Sequence, residues 1–248
     1  MNIGVVTLFP EMFRAMNVGM CRIAQEKHAV SLSYWDPRSF SQTKHKTVDD
    51  RSYGGGPGMV MCVPPLRAAL QAARKHLGSE ASIIYLSPQG SRLHQKVIEK
   101  WVEAEHGLIL VSGRYEGIDE RLMIFEPGEE WSLGDLVLSG GEIAAMAVID
   151  AIARLLPGVL GNEDSAREDS FANGLLDCPH YTRPATIEGL RVPSVLLTGD
   201  HKAIKRWRLK QALGRSWLKR PDLLQQKVLS QQEQDLLDEF IIEIEKGG

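Results

Sequence analysis

The chain has 248 residues, 43% hydrophobic and 25% charged, an ordinary globular composition that excludes a wholly disordered chain and leaves room for one large domain or two ordinary ones. A formal net charge of −3 excludes a globally basic polyanion binder, so any nucleic-acid surface must come from local charge distribution. Cys21, Cys62 and Cys178 lie far apart and form no CxxC pair, which excludes a disulfide framework or a cysteine-based zinc site and suits a reducing compartment.

In chain order, MNIGVVTLFPEMF carries no basic leader region, and its apolar stretch predicts only a strand over Ile3–Phe9. No run approaches the eighteen or so apolar residues of a membrane helix. A helix is expected from Pro10 to about Lys27, then a strand over Val30–Trp35. HKTVDDRSYGGGPGM follows. Its GGGPG lacks the lysine and hydroxyl of a phosphate-binding P-loop, so it reads as a loop that other groups press against. His45, Asp49, Asp50 and Arg51 stand before it without a role that sequence can assign.

Helices over Pro64–His76, Gln95–Ala104, Ile118–Phe125 and Glu142–Leu156 then alternate with strands over Ile83–Leu86, Leu108–Val111 and about Asp135–Leu138. That alternation predicts an α/β fold with a mainly parallel sheet flanked by helices. Pro157-Gly158 stops the last helix, and GNEDSARED is polar and aperiodic. The expected organisation is an α/β domain over 1–160, a flexible linker or lid over 161–174, and a small, mostly helical domain over 175–248.

Three loops share one design: YLSPQG, SGRYEG and LSGGE each follow a strand and carry glycine. In open α/β sheets, ligands sit beyond the carboxyl ends of the strands, and glycine lets the main chain come close to them. One such loop is an ordinary tight turn. Three in succession predict a pocket walled by backbone, suited to a nucleoside-like ligand.

TLFPEMF, TVDDRSYGGGPGM, YLSPQG, GRYEGIDER, EEWSLGDLVLSGGE, PGVLG, EDSF, GLLDCPHYTRP and RWRLKQALGR occur in the order found in bacterial tRNA (guanine-N1)-methyltransferases, and the chain resembles that family from Thr7 to about Pro221. The family belongs to the SPOUT superfamily, so the resemblance implies a trefoil knot in the C-terminal part of the sheet, which periodicity does not reveal and general topology rules would disfavour. It also implies bound S-adenosyl-L-methionine. The matching cofactor positions are Tyr85, Leu86 and Pro88 in the first loop, and Gly113, Tyr115 and Glu116 in the second. In and before the third they are Ser132, Leu133, Gly134, Asp135, Leu136, Val137, Leu138, Gly140 and Gly141.

Guanine N1 becomes a good nucleophile only after losing its proton, so methylating it needs a general base at N1 and a donor for the charge developing on O6. Sequence alone offers Asp50, Asp119, Asp164, Asp169 and Asp177 near loops and does not choose among them. The resemblance selects Asp169 as base and Arg154 as the arginine near O6. Arg154 also has ordinary reasons to end a helix, as a cation at the dipole's negative end and four residues after Asp150.

From Lys202 to Arg220 there are eight Lys or Arg and no acid, with Asp200 placed to cap a helix. A basic face with Lys202, Arg206 and Lys210 on it, together with Arg208 and Arg215, fits RNA phosphates. Trp207 and Trp217 read as core residues, and His180 as a packed structural histidine. The resemblance further implies a tRNA substrate, a homodimer with the site at the subunit interface, a cytoplasmic location and a magnesium requirement, for which sequence shows no ligand cluster. Two other readings stand beside it: a non-catalytic RNA-binding or nucleotide-sensing module, and a SPOUT methyltransferase acting on another RNA.

Overall fold

The computed structural model describes residues 1–161 and 169–247. Asp164 and much of the expected linker lie outside the described residues. The chain divides into two compact units, Met1–Glu163 and Asp164–Gly248.

In the first unit the strands are β1 (Asn2–Val6), β2 (Ser31–Trp35), β3 (Asp49–Asp50), β4 (Val60–Met61), β5 (Ser82–Arg92), β6 (Leu108–Ser112) and β7 (Glu129–Ser132). The helices are α1 (Gly19–Glu26), α2 (Val63–Leu77), α3 (Gln95–Glu103), α4 (Arg121–Phe125) and α5 (Glu142–Leu155). Five strands form one all-parallel sheet in the order β2-β1-β6-β5-β7. β3 and β4 make a separate antiparallel pair.

The sheet is covered on both faces, as parallel sheets require. Alternation along each strand feeds two cores. Leu108 and Leu110 of β6, with Ile84 and Leu86 of β5, pack on one side with Trp101 of α3 and Val148 and Ile149 of α5. Ile109, Val111, Ile83 and Tyr85 pack on the other with Leu66 and Leu70 of α2 and Leu122 of α4. Every residue of β6 is buried.

Two expected elements differ. The helix expected over 10–27 is a 3-10 helix over Pro10–Asn17 followed by α1, because Val18 is extended and Gly19 takes φ +61. The strand expected at Asp135–Leu138 lies earlier, as β7. Gly134 at φ +141 ends the extended run, and Leu136 and Val137 project outward, 51% and 89% exposed. β7 is anchored by Trp131, whose ring meets that of Trp101 edge-on at 5.8 Å.

The second unit contains a short hairpin, β8 (Thr186–Ile187) and β9 (Leu190–Arg191), and helices α6 (His201–Lys219), α7 (Pro221–Gln225) and α8 (Gln231–Gly247). Asp200 caps α6, its Oδ1 accepting from the backbone N–H groups of Lys202 at 3.0 Å and Ala203 at 3.1 Å. Leu213 packs with Leu175, Leu236 and Leu237. Among the described residues no helix is long and apolar enough to cross a membrane.

Gly214 sits where α6 meets α8: a Cβ there would lie 2.3 Å from the Phe240 ring. Gly→Ala in a helix interior normally stabilises by about 1 kcal/mol. Here Gly214→Ala should instead destabilise by about 1–3 kcal/mol in denaturant unfolding. Adding Phe240→Leu should recover much of the loss, and a stabilised Gly214→Ala protein would refute the close approach.

Candidate functional site

β5, β6 and β7 are parallel neighbours, so their carboxyl ends reach the same sheet edge. The loops leaving them converge there on a cavity of about 410 Å³, within the range of small-molecule sites. Its walls are residues 85–89, 113–118, 130–134 and 136–141, with Glu120, Met123 and Ala144.

Tyr85, Leu86, Pro88, Gly113, Tyr115, Glu116, Ser132, Leu133, Gly134, Leu136, Val137, Leu138, Gly140 and Gly141 all line it. Asp135 does not: its side chain is 82% exposed and pairs with Arg92. Arg154 sits in the last turn of α5, away from the lining. Asp169, Lys202, Arg206, Arg208, Lys210 and Arg215 belong to the second unit.

The first wall is not a free loop. β5 runs from Ser82 to Arg92, and its pairing with β7 is interrupted only between Leu86 and Ser91. The second wall is strapped from outside. Glu116 N donates to Met59 O, and Met61 N to Gly117 O, both at 2.9 Å, while Asp119 N donates to Met61 O at 3.1 Å. The glycine-rich segment before Met59 is thus pressed against by the cavity wall: a Cβ on Gly58 would fall 2.3 Å from the Glu116 carboxylate. Tyr115, at the tip, holds φ +61, a left-handed conformation costing a non-glycine residue about 1–2 kcal/mol.

The third wall is fixed to the second by Arg114, a residue whose role sequence does not reveal. Arg114 Nε lies 2.9 Å from Glu142 Oε2, with Glu142 fully buried and the Arg114 side chain 15% exposed. The two atoms meet off-axis, so the contact is coulombic and neither completes a hydrogen bond there. The other Glu142 oxygen accepts from Thr7 Oγ1 at 2.8 Å, and Thr7 Oγ1 in turn accepts from Phe9 N at 2.9 Å. The Arg114 guanidinium stacks over Phe9 at 4.4 Å and donates to Ser139 O at 3.1 Å. Gly141 N donates to Gly113 O at 3.0 Å. Gly140 is glycine for this reason: a Cβ would meet Arg114 Nε at 2.3 Å and Glu142 Oε2 at 2.6 Å. A glutamate opening an apolar helix directly after two glycines was the sequence signal for such a partner.

Glu116, Glu120 and Glu130 also line the cavity, whereas Arg114, its one lining Lys or Arg, is already paired with Glu142. The cavity therefore favours a cationic ligand. Asp150, expected near Arg154, accepts from Cys21 Sγ at 3.6 Å. Burial, with the Asp150 charge adding to it, pushes that thiol up to about 11.

In the second unit, Asp177, Cys178 and His180 place ligand-type atoms within 4.8 Å of one another. Asp177 Oδ2 is 2.6 Å from His180 Nε2, so His180 is a surface partner of Asp177, not a packed core residue. Burial pushes the Cys178 thiol up to about 11, helped by Asp177. A neutral thiol and an imidazole do not suit magnesium, which takes oxygen ligands. Arg206 pairs with Glu239, and Lys210 Nζ with Glu243 Oε1 at 2.6 Å, so two cations expected to meet RNA have partners on α8. Trp207 is half-buried with its ring 6.3 Å from that of Tyr181, and Trp217 is 39% exposed.

The model of the family described as tRNA (Guanine-1)-methyltransferase TrmD matches residues 1–226. A protein named tRNA (guanine-N(1)-)-methyltransferase from Nitrosococcus oceani is 60% identical over 244 residues, 98% of this chain and 96% of its own. Proteins of the same name from Shewanella sediminis and Cronobacter sakazakii are each 57% identical, over 97% of this chain and 100% and 93% of theirs.

Removing Arg114 strands a fully buried carboxylate, which costs about 3–5 kcal/mol. Arg114→Ala should therefore lose that much stability in denaturant unfolding. Arg114→Met with Glu142→Gln should lose far less. Equal losses in the two proteins would show that charge pairing does not hold these loops.

Proposed function

The chain belongs to the tRNA (guanine-1)-methyltransferase family, and from that premise we propose that it transfers a methyl group from S-adenosyl-L-methionine to N1 of the guanine immediately 3′ of the anticodon in tRNA. Family membership sets aside the non-catalytic module. The observation that carries the reading at this site is the cavity itself: backbone-walled, at the ends of three neighbouring parallel strands, with carboxylates and no unpaired cation in its lining.

The residues present fit the donor. Leu86, Leu138 and Ala144 offer apolar surface to a purine, the glycine-rich walls offer backbone donors and acceptors to its edges, and Glu116, Glu120 and Glu130 complement positive charge. When bound, S-adenosyl-L-methionine supplies a methyl group activated by a sulfonium. The chain's own residues then have two tasks. Asp169 accepts the N1 proton of the guanine, and Arg154 holds the negative charge that gathers on O6. Among the described residues the Asp177, Cys178 and His180 set is chemically unsuited to magnesium.

The finer organisation follows the same resemblance. Residues 1–160 form the knotted cofactor domain and 175–248 the tRNA-binding domain, with Asp169 on the chain between them. The enzyme acts as a homodimer in the cytoplasm, with Asp169 of one copy serving the cavity of the other. Tyr115, Ile124, Phe125, Leu133 and Val137 of the first unit are large apolar residues left exposed, and apolar surface of that kind supports cover by a second copy.

The direct test is methyl transfer from labelled S-adenosyl-L-methionine to tRNA transcripts that differ only at the base after the anticodon. Label should enter the guanine transcript alone, at N1. Asp169→Asn should keep donor affinity while turnover falls by about 10²–10⁴-fold. Normal turnover in that variant would remove Asp169 as the base.

A further inference from the structure

The chain that follows Asp169 is folded on itself. Asp169 O accepts from Ala172 N at 3.3 Å, Phe171 O from Gly174 N at 3.0 Å, and Leu175 O from Phe171 N at 2.7 Å, so residues 169–175 form consecutive tight turns. A side chain closes the same stretch over a longer span: Asp177 N donates to Ser170 Oγ at 3.0 Å. The residue next to Asp169 is thereby tied to the far end of its own loop.

The closed loop is fastened to α6. Leu175 is buried with Leu213 of α6. Leu176 N donates to Ser216 Oγ at 2.8 Å, and the fully buried Ser216 hydroxyl donates in turn to Ala212 O at 2.8 Å. Arg215 Nη1 reaches Asp177 O at 3.5 Å.

Phe171 carries the strain of this arrangement. Its φ is +77, in the left-handed region that a bulky residue rarely enters. Its N–H and C=O are both engaged within the loop, and its ring lies 5.7 Å from the Arg220 guanidinium. Arg220 is itself forked onto Asp222, with Nε to Oδ1 at 2.9 Å and Nη2 to Oδ2 at 2.7 Å. The Phe171 side chain is nevertheless 38% exposed, so core burial alone does not explain the conformation. Strained backbone persists only where its surroundings over-determine it, and it gathers at functional sites.

We propose that Ser170 and Phe171 are positioning residues for the Asp169 carboxylate. Their loop fixes the chain immediately after Asp169, and α6 holds the loop. The proposal rests on the reading of Asp169 as the base given above. A general base must come within about 2.6–3.2 Å of the proton it takes. A misplacement of about 1 Å costs about 10²-fold in rate. A carboxylate on an unrestrained chain spreads over more than that distance, whereas one attached to a closed and anchored loop has far fewer places to go.

The test is methyl transfer to the guanine transcript by the full chain. Ser170→Ala removes the acceptor that closes the loop, and Phe171→Val puts a β-branched residue where φ is positive. Each should lower kcat by about 10²-fold while leaving KM for tRNA and for S-adenosyl-L-methionine unchanged. Ser170→Thr keeps the hydroxyl and Phe171→Asn tolerates the left-handed turn, so both should retain most of the turnover. Made in an Asp169→Asn protein, Ser170→Ala and Phe171→Val should cause no further loss, because no base is left to misplace. A full further loss in that background would show a general structural role and overturn the proposal. Normal kcat in Ser170→Ala and Phe171→Val, with Asp169→Asn slow, would remove the positioning role alone. Normal turnover in Asp169→Asn would remove the base and the positioning role together.

Discussion

A carboxylate with no access to water decides how this cavity is built. Glu142 opens α5 inside the first unit, and its charge is balanced by Arg114 and hydrogen-bonded by Thr7. Each partner comes from a different part of the chain: Thr7 follows β1, Arg114 belongs to the loop after β6, and Glu142 follows the third loop. One buried charge thus links the ends of elements far apart in sequence, and the loops that wall the cavity cannot drift separately without exposing it. Such an arrangement trades stability for uniqueness, since a well-packed apolar set is often as stable as a buried ion pair.

Around that constraint the parts divide their tasks simply. The parallel sheet sets direction, so three loops arrive at one edge. The two apolar cores hold the strands in register, and the outer strap from Met59 to Met61 backs the loop that carries Tyr115 and Glu116. The side chains that face the cavity are then mostly small, apolar or acidic, and much of the wall is main chain.

The α/β class, the strand over Leu108–Val111 and the three converging loops were legible because they are written in local pattern: short buried runs, glycines after them, helices between. The same local reading misplaced β7. DLVL looks like a strand by composition, but Gly134 breaks the extended chain before it, and its apolar residues serve as cavity wall and outer surface. The Arg114–Glu142 pair was illegible for a different reason: nothing in sequence spacing says that residues 114 and 142 meet. The basic stretch after Asp200 was visible as a count, and the cap at Asp200 was read correctly. Which of its faces is engaged depended on the acids of α8, whose register against α6 only three-dimensional packing sets.

The course of β5 through the cavity has a further consequence. The strand leaves its pairing with β7 after Leu86 and resumes it at Ser91, so the arch that carries Ser87, Pro88 and Gln89 is tethered at both feet to one neighbour. An arch held that way has little conformational entropy left to surrender when a guest arrives. Selectivity at this wall is therefore a matter of shape already present, and a guest of the wrong outline is refused by rigidity rather than accommodated by adjustment.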